Sequence, residues 1–282
     1  MSTPDKPIDT RWTQIVADPK WSLADLREIY EFRDMLYFMA WRDVKVRYKQ
    51  TILGGMWVVL QPLITMLLFT VFFGKLARIP SDGAPYPLFY FAALVPWGYF
   101  SGAMVSASIS LLNHTHMIKK LYFPRIVLPL AAIIGKFIDF LIALSVLFLM
   151  MLVFGQAPSP AAIIWIPLLV LILVTTLVGG SVFLSALIIK YRDFQFALTF
   201  GIQFLMFASP IIYPASVLPE RFRLLYGLNP MAGVIEGFRA TLLGTTTFPS
   251  AMVAVSATMS LVVLAIGLVY FKKVENYFAD VA

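Results

Sequence analysis

Apolar and polar positions in this chain fall into long blocks rather than short alternations. Apolar runs cover about residues 53–73, 88–112, 126–154, 161–189, 196–212 and 250–271. Crossing a hydrocarbon core of ~30 Å takes roughly 20 residues, so the pattern predicts an all-α integral membrane protein with six transmembrane helices. Ahead of the first run the pattern changes. Residues 1–21 are polar, carry Pro4, Pro7 and Pro19, and read as a cytosolic tail. Residues 22–50 place Leu23, Leu26, Ile29, Tyr30, Leu36, Tyr37, Ala40, Trp41, Val44 and Tyr48 at mostly helical spacing, with charges between them. Ser22 followed by Asp25 has the form of a helix start. An amphipathic helix, or two in series, lying in the membrane interface is expected; a helix packed on a soluble partner has the same pattern. The transmembrane domain occupies 51–273, and 274–282 form a second cytosolic tail.

Several positions break the apolar runs. Gly54, Gly55 and Pro62 loosen the first. Pro96 should kink the second, and Gly98 and Gly102 permit close helix approach there. Lys136 and Asp139 lie in the third at i and i+3, where they share a helix face. Each intramembrane charge costs about 2.5–3.5 kcal/mol, so they form either a relay or a neutralised structural pair. With no second acid or histidine at that depth, the pair is the better reading. Ser209-Pro210 interrupts the fifth run. The long outer segment from Tyr213 to Thr247 has seven breakers, Pro214, Pro219, Gly227, Pro230, Gly233, Gly237 and Gly244. It predicts two short helices, about Pro219–Tyr226 and Pro230–Leu243, with Glu236 and Arg239 paired. They either dip back into the outer leaflet at the mouth of a pathway or rest on the surface.

Composition sharpens this picture. Of 282 residues, 60% are hydrophobic and 13% charged, and the mean hydropathy is +0.83; soluble domains carry about 25% charged residues. A net charge of +7 raises the question of nucleic acid. The basic residues instead flank the apolar runs, as topology signals and contacts for membrane lipids do, so no nucleic acid is expected. Six spans put sixteen Lys and Arg on one side and five on the other. That bias makes the protein multi-pass with both termini cytoplasmic. No cleavable signal peptide is expected, since the first fifty residues lack an apolar core. The segment Asn113–Arg125 holds both histidines and three basic residues without an acid. It is either an ordinary positive-inside loop or, given its Tyr-Phe-Pro-Arg end, a surface on which another protein pushes. There is no cysteine, phosphate loop, H-E-x-x-H or G-x-S-x-G motif. His114 and His116 are two apart and do not share a helix face, so no metal site is expected. The protein reads as a transport subunit rather than an enzyme, driven by a partner because a gradient-driven carrier needs more intramembrane ionisable groups.

A set of motifs in order narrows the class. Leu53-Gly54-x-x-Trp57 with Gln61-Pro62 follows the basic Arg47-Tyr48 end of the first helical segment. Then come Pro96-Trp97, Ile118-Lys119-Lys120-x-Tyr122-Phe123-Pro124-Arg125, Tyr191-Arg192-Asp193, Ser209-Pro210-Ile211-x-Tyr213, Asn229-Pro230-Met231 and Glu236-Gly237-Phe238-Arg239. From about Ser22 to Phe271 the chain resembles the permease subunits of ABC-2 type transporters that export O-antigen, capsule or teichoic acid. The resemblance implies a homodimer in the bacterial inner membrane, bound to two copies of an ATPase subunit in which ATP and Mg act. It implies a polyprenyl-pyrophosphate-linked glycan as substrate. It makes His114, His116, Lys119, Lys120, Tyr122, Phe123, Pro124 and Arg125 the segment that couples to the ATPase, so that Phe123→Asp or Arg125→Glu should uncouple transport. Arg42, Arg47 and Lys49 would meet the pyrophosphate, for which Arg and Lys are the usual partners. Pro210, Tyr213, Asn229, Pro230, Glu236 and Arg239 would form the outer gate. Sugar rings stack on aromatics, so some of Trp57, Phe69, Phe72, Phe73, Tyr90, Trp97 and Tyr99 would line the channel, the rest being lipid-facing or packed. A small-molecule exporter of the same architecture, or a membrane scaffold without transport, are the alternatives.

Overall fold

The computed structural model describes residues 23–49 and 55–275. The first two residues of the Leu53-Gly54-x-x-Trp57 motif, the first tail and residues 276–282 of the second therefore lie outside the described residues, while Val274 and Glu275 continue the last helix. Among the described residues the chain is all-helical. α1 (Leu23–Glu31) and α2 (Arg33–Lys49) follow in series. α3 (Met56–Phe69) continues into a π-helical stretch over Thr70–Leu76. α4 is Tyr86–Ser108, and α5 (Ser110–Asn113) and α6 (Thr115–Ile118) are single turns after it. α7 (Val127–Val153) and α8 (Ala162–Lys190) are long, and α9 is Phe194–Phe207. α10 (Glu220–Tyr226), α11 (Pro230–Leu243) and α12 (Ser250–Glu275) complete the chain.

Among the described residues five stretches are long and apolar enough to cross a membrane: Met56–Leu76, Tyr86–Ser108, Val127–Val153, Ala162–Lys190 and Ser250–Glu275. The run expected over 196–212 differs. Its helix is 14 residues long, about 21 Å at 1.5 Å per residue. Pro210 is the reason, since proline lacks an N–H and disfavours a helical residue before it. The chain leaves the helix at Ala208 and turns through Ser209–Ile212.

α4 sits at the centre, packed by α7, α8, α11 and α3. α8 and α12 form the closest pair, because Gly179 and Gly267 face each other across the contact. A Cβ on Gly179 would lie 2.5 Å from the Leu264 backbone, and one on Gly267 would collide with the Gly179 carbonyl. From Met231 to Leu243 every residue of α11 is buried, Glu236 and Arg239 included. It is held at its start by the Asn229 side chain, which accepts from the Met231 N–H, and ends on Gly244 at φ +63°. Its neighbours are the first halves of α8 and α12, at Leu169 and Ser256. At the other end of the bundle Met39 and Ala40 of α2 pack with Phe123, Val127, Ala186 and Phe271 in a second core.

The expected apolar stripe of α2 splits in two. Met39, Ala40 and Val44 pack inward, with the Ala40 backbone against Gly135 of α7. Tyr37, Phe38, Trp41 and Val46 face outward. The helix thus has an apolar face toward its own bundle and an aromatic face turned away from it.

Candidate functional site

Two polar clusters lie at opposite ends of the bundle. The first is built where α2 crosses α7 and the end of α4. The Arg47 guanidinium donates to Asp139 Oδ2 at 2.6 Å, Lys136 Nζ to the same oxygen at 3.2 Å, and the Tyr48 hydroxyl to Oδ1 at 2.5 Å. Burial and the adjacent carboxylate push the Tyr48 phenol up to about 12, so it stays a proton donor at neutral pH. The anticipated Lys136–Asp139 pair is present, but Arg47 is the closer partner. Arg42 pairs with Asp43 at 2.9 Å and approaches His114 Nε2 at 2.6 Å. His114 Nδ1 lies 2.8 Å from the Ser110 carbonyl. A carbonyl only accepts, so Nδ1 carries the proton and Nε2 receives the Arg42 hydrogen bond. Between these groups lies a cavity of about 460 Å³, lined among others by Arg42, Arg47, Ser106, Asn113, His114 and Ala132. Lys49 is exposed at the end of α2, away from the cavity lining.

The segment that follows His114 turns away from the cavity. His116, Lys119, Lys120, Leu121 and Tyr122 are exposed and Pro124 is half-buried. Phe123 is only 5% exposed and belongs to the chain's own core, against 63% for Tyr122. Arg125 donates to the Glu275 carbonyl at the end of α12, and the Tyr122 hydroxyl donates to Glu28 of α1 at 3.1 Å. Burial and the Glu28 charge raise the Tyr122 phenol above its ordinary value. Phe123 and Arg125 therefore face inward and hold the segment, whereas the outward surface is His116, Lys119, Lys120, Leu121 and Tyr122.

The second cluster gathers the whole set expected at the outer segment. Arg239 is buried and donates to three carbonyls, Phe89 at 3.2 Å, Pro210 at 2.6 Å and Ile211 at 2.7 Å. It also donates to Glu236 Oε1 at 3.0 Å, an oxygen that accepts from the Ala215 N–H at 3.2 Å. The guanidinium stands 3.6 Å over the Phe89 ring, a cation–π contact. Asn229 donates to the Ala208 carbonyl and Ser209, and Tyr226 donates to Tyr213, whose hydroxyl donates to the Phe207 carbonyl. Pro230 opens α11. The turn after α9 has few internal bonds, so these side chains satisfy its backbone. A cavity of about 490 Å³ adjoins Glu236, lined also by Asp82, Ser216, Arg223 and Thr247.

The aromatic candidates separate. Tyr90, Trp97 and Tyr99 are packed inside the bundle, Phe69 and Phe73 are half-buried against it, and Trp57 and Phe72 are exposed. Within one chain the first three are packing residues, because α4 is enclosed by neighbours on nearly all sides.

The family model described as ABC-2 type transporter matches residues 35–243. An O-antigen export system permease protein, RfbA of Klebsiella pneumoniae, is 28% identical over 249 residues, covering 88% of this chain and 95% of the relative. RfbA of Myxococcus xanthus is 28% identical over 219 residues, covering 76% and 82%. The polysialic acid transport protein KpsM of Escherichia coli is 24% identical over 239 residues, covering 83% and 91%.

Proposed function

The chain belongs to the ABC-2 type transporter family, and on that footing we propose that it is the membrane permease of an ATP-driven exporter of lipid-linked polysaccharide. The relatives named for O-antigen and polysialic acid support a glycan cargo over a small drug or lipid. The observation that carries the structural part is the cavity holding Arg42 and Arg47 beside the start of the exposed basic segment. Two guanidiniums at a half-open site suit a pyrophosphate, which Arg binds in paired hydrogen bonds. A polyprenyl-pyrophosphate-linked glycan enters there from the cytoplasmic side of the inner membrane. His116, Lys119, Lys120, Leu121 and Tyr122 meet the ATPase, in which ATP and Mg act. Two chains and two ATPase subunits make the working assembly. α9 is the sixth crossing, joining the inner end of α8 to the turn beneath Arg239, and α10 and α11 re-enter the outer leaflet as the gate.

Co-purification in mild detergent from the native host tests this. A nucleotide-hydrolysing subunit is expected with the wild type and should be lost with Lys119→Glu/Lys120→Glu. Isolation of the chain without any ATPase would overturn the reading.

A further inference from the structure

One feature of the inner cluster exceeds what a neutralised pair needs. Among the described residues, Asp139 is the one carboxylate bonded to Arg47 or to Lys136. Two cations therefore share one anion, and the third partner, Tyr48, is a neutral donor. A half-buried group with surplus positive charge is costly at the edge of a membrane unless a further anion reaches it. Desolvating Lys136 for helix packing alone would be met by a single carboxylate, without Arg47.

Position points the same way. The cavity that holds Arg42 and Arg47 has Ala132 of α7 and Ser106 of α4 in its wall. One helical turn further from the cytoplasmic end on α7 comes Lys136, and one turn further on α4 comes Gly102. The two meet there: a Cβ on Gly102 would lie 3.7 Å from the Lys136 side chain. Lys136 thus stands directly beyond the cavity, between the two helices that wall it, with its ammonium held by Asp139.

We propose that Arg47 and Lys136 form an inner seat for the phosphate headgroup of a lipid, and that Asp139 is the internal anion this headgroup displaces. The inference rests on the cavity reading above and adds to it a specific second step. A headgroup first met by Arg42 and Arg47 moves one turn deeper and takes over the donors now given to Asp139. Displacement also undoes the polar tie between α2 and α7, because that tie runs through Asp139. Loading then leaves α2 held on α7 by its apolar packing alone, at Met39, Ala40 and Val44. The same chemistry is offered by a prenyl pyrophosphate and by an anionic phospholipid.

The test uses the purified transporter in phosphatidylcholine nanodiscs, with farnesyl pyrophosphate as the charged probe and farnesol as its uncharged counterpart. Lys136→Met should weaken farnesyl pyrophosphate binding about tenfold or more, as expected for loss of a hydrogen-bonded charge. Lys136→Arg should retain it, and Asp139→Asn should strengthen it, since the internal competitor is gone. Farnesol binding should not respond to any of them. Unchanged pyrophosphate affinity in Lys136→Met would overturn the seat, and so would an equal loss for farnesol, which marks a packing role. Arg42→Ala separates the two levels, because Arg42 belongs to the cavity alone whereas Arg47 serves both. If it abolishes binding while Lys136→Met does not, the cavity stands and the inner seat falls; if the wild type binds no pyrophosphate, both fall. Adding phosphatidylglycerol to the nanodiscs identifies the source. Competition that disappears in Lys136→Met assigns the seat to a bilayer phospholipid, and its absence assigns the seat to the prenyl pyrophosphate.

Discussion

Replacing Arg239 by Met removes the guanidinium and keeps an unbranched apolar stem in its place. Four hydrogen bonds go with it, three to the carbonyls of Phe89, Pro210 and Ile211 and one to Glu236. Stripping one partner from a buried ion pair costs about 3–5 kcal/mol. Each orphaned buried acceptor costs about 1–3 kcal/mol. The turn after α9 can relax toward the adjoining cavity and recover part of the second term. Summed, the ranges begin at about 6 kcal/mol, and with that recovery a loss of about 5 kcal/mol is taken as the lower bound. For a chain of this size each kcal/mol moves the melting temperature by about 2–4 °C, so a fall of about 10–20 °C is expected. Glu236→Gln is milder. The amide oxygen still accepts from Ala215 and Arg239, and Arg239 keeps its three carbonyls and the Phe89 ring. The double variant should lose less than the two single losses added, by about 0.5–3 kcal/mol, since Gln no longer faces a charge. The assay is thermal unfolding by intrinsic fluorescence at fixed detergent and protein concentration. A fall of under about 2 °C in Arg239→Met, or strict additivity in the double variant, would refute the claim that this ion pair holds the outer turn.

Four further outcomes follow from particular positions. Phe123→Ala should cost about 3–5 kcal/mol in the same unfolding assay, because the ring is core; Tyr122→Ala should leave the fold within about 0.5 kcal/mol and weaken capture of the ATPase in a pull-down. Gly267→Ala should prevent accumulation of folded protein, since its Cβ meets the Gly179 carbonyl. Gly201→Ala, with open space around it on α9, should stabilise by up to about 1 kcal/mol through helix propensity. The Tyr48 phenol is raised from 10.0 to about 12, so its contribution to the α2–α7 contact is fully present below about pH 10 and is lost as pH rises toward 12. Difference absorbance of tyrosinate against Tyr48→Phe should show this one late-titrating phenol; a titration step near pH 10 would contradict the bond to Asp139.

How much of this was legible beforehand depends on the distance over which each signal acts. Proline and glycine punctuate locally, and the helices expected at about Pro219–Tyr226 and Pro230–Leu243 form at Glu220–Tyr226 and Pro230–Leu243. Lys136 and Asp139 announce each other three residues apart. Nothing announces Arg47 to Asp139, 92 residues away, because that contact exists only once α2 crosses α7. The same holds for Arg42 and His114, 72 residues apart. Both arginines were expected to meet a pyrophosphate, but not that each already has an internal partner. Phe123 looked outward for the opposite reason. An aromatic in a basic loop has no periodicity to reveal its direction, and here it turns into the second core while Leu121 and Tyr122 stay exposed. α4 hid its orientation because it is apolar almost all round, so Tyr90, Trp97 and Tyr99 gave no hint that they point into the bundle.

α4 is where the two clusters meet mechanically. The Phe89 carbonyl near its start accepts from Arg239, and its ring lies under the guanidinium. At its other end Ser106 enters the cavity wall, and α5 carries the backbone on to His114, the partner of Arg42. Hydrogen bonds from Ile109 to Val105 and from Asn113 to Ile109 keep the helical path nearly unbroken through the junction. From Phe89 to Asn113 the rod is about 36 Å long, close to the thickness of a bilayer core. A helix enclosed by α7, α8 and α11 moves as a body rather than bending gradually, since packed interiors shift between discrete arrangements. On the proposed coupling role, a force on the exposed segment beyond His114 would run along the axis of α4, whose polar contact at the far end is the Phe89–Arg239 bond. That bond secures the same guanidinium that holds the turn after α9. The turn after α9 is thus within one hydrogen bond of α4, the element to which the proposed coupling segment is joined.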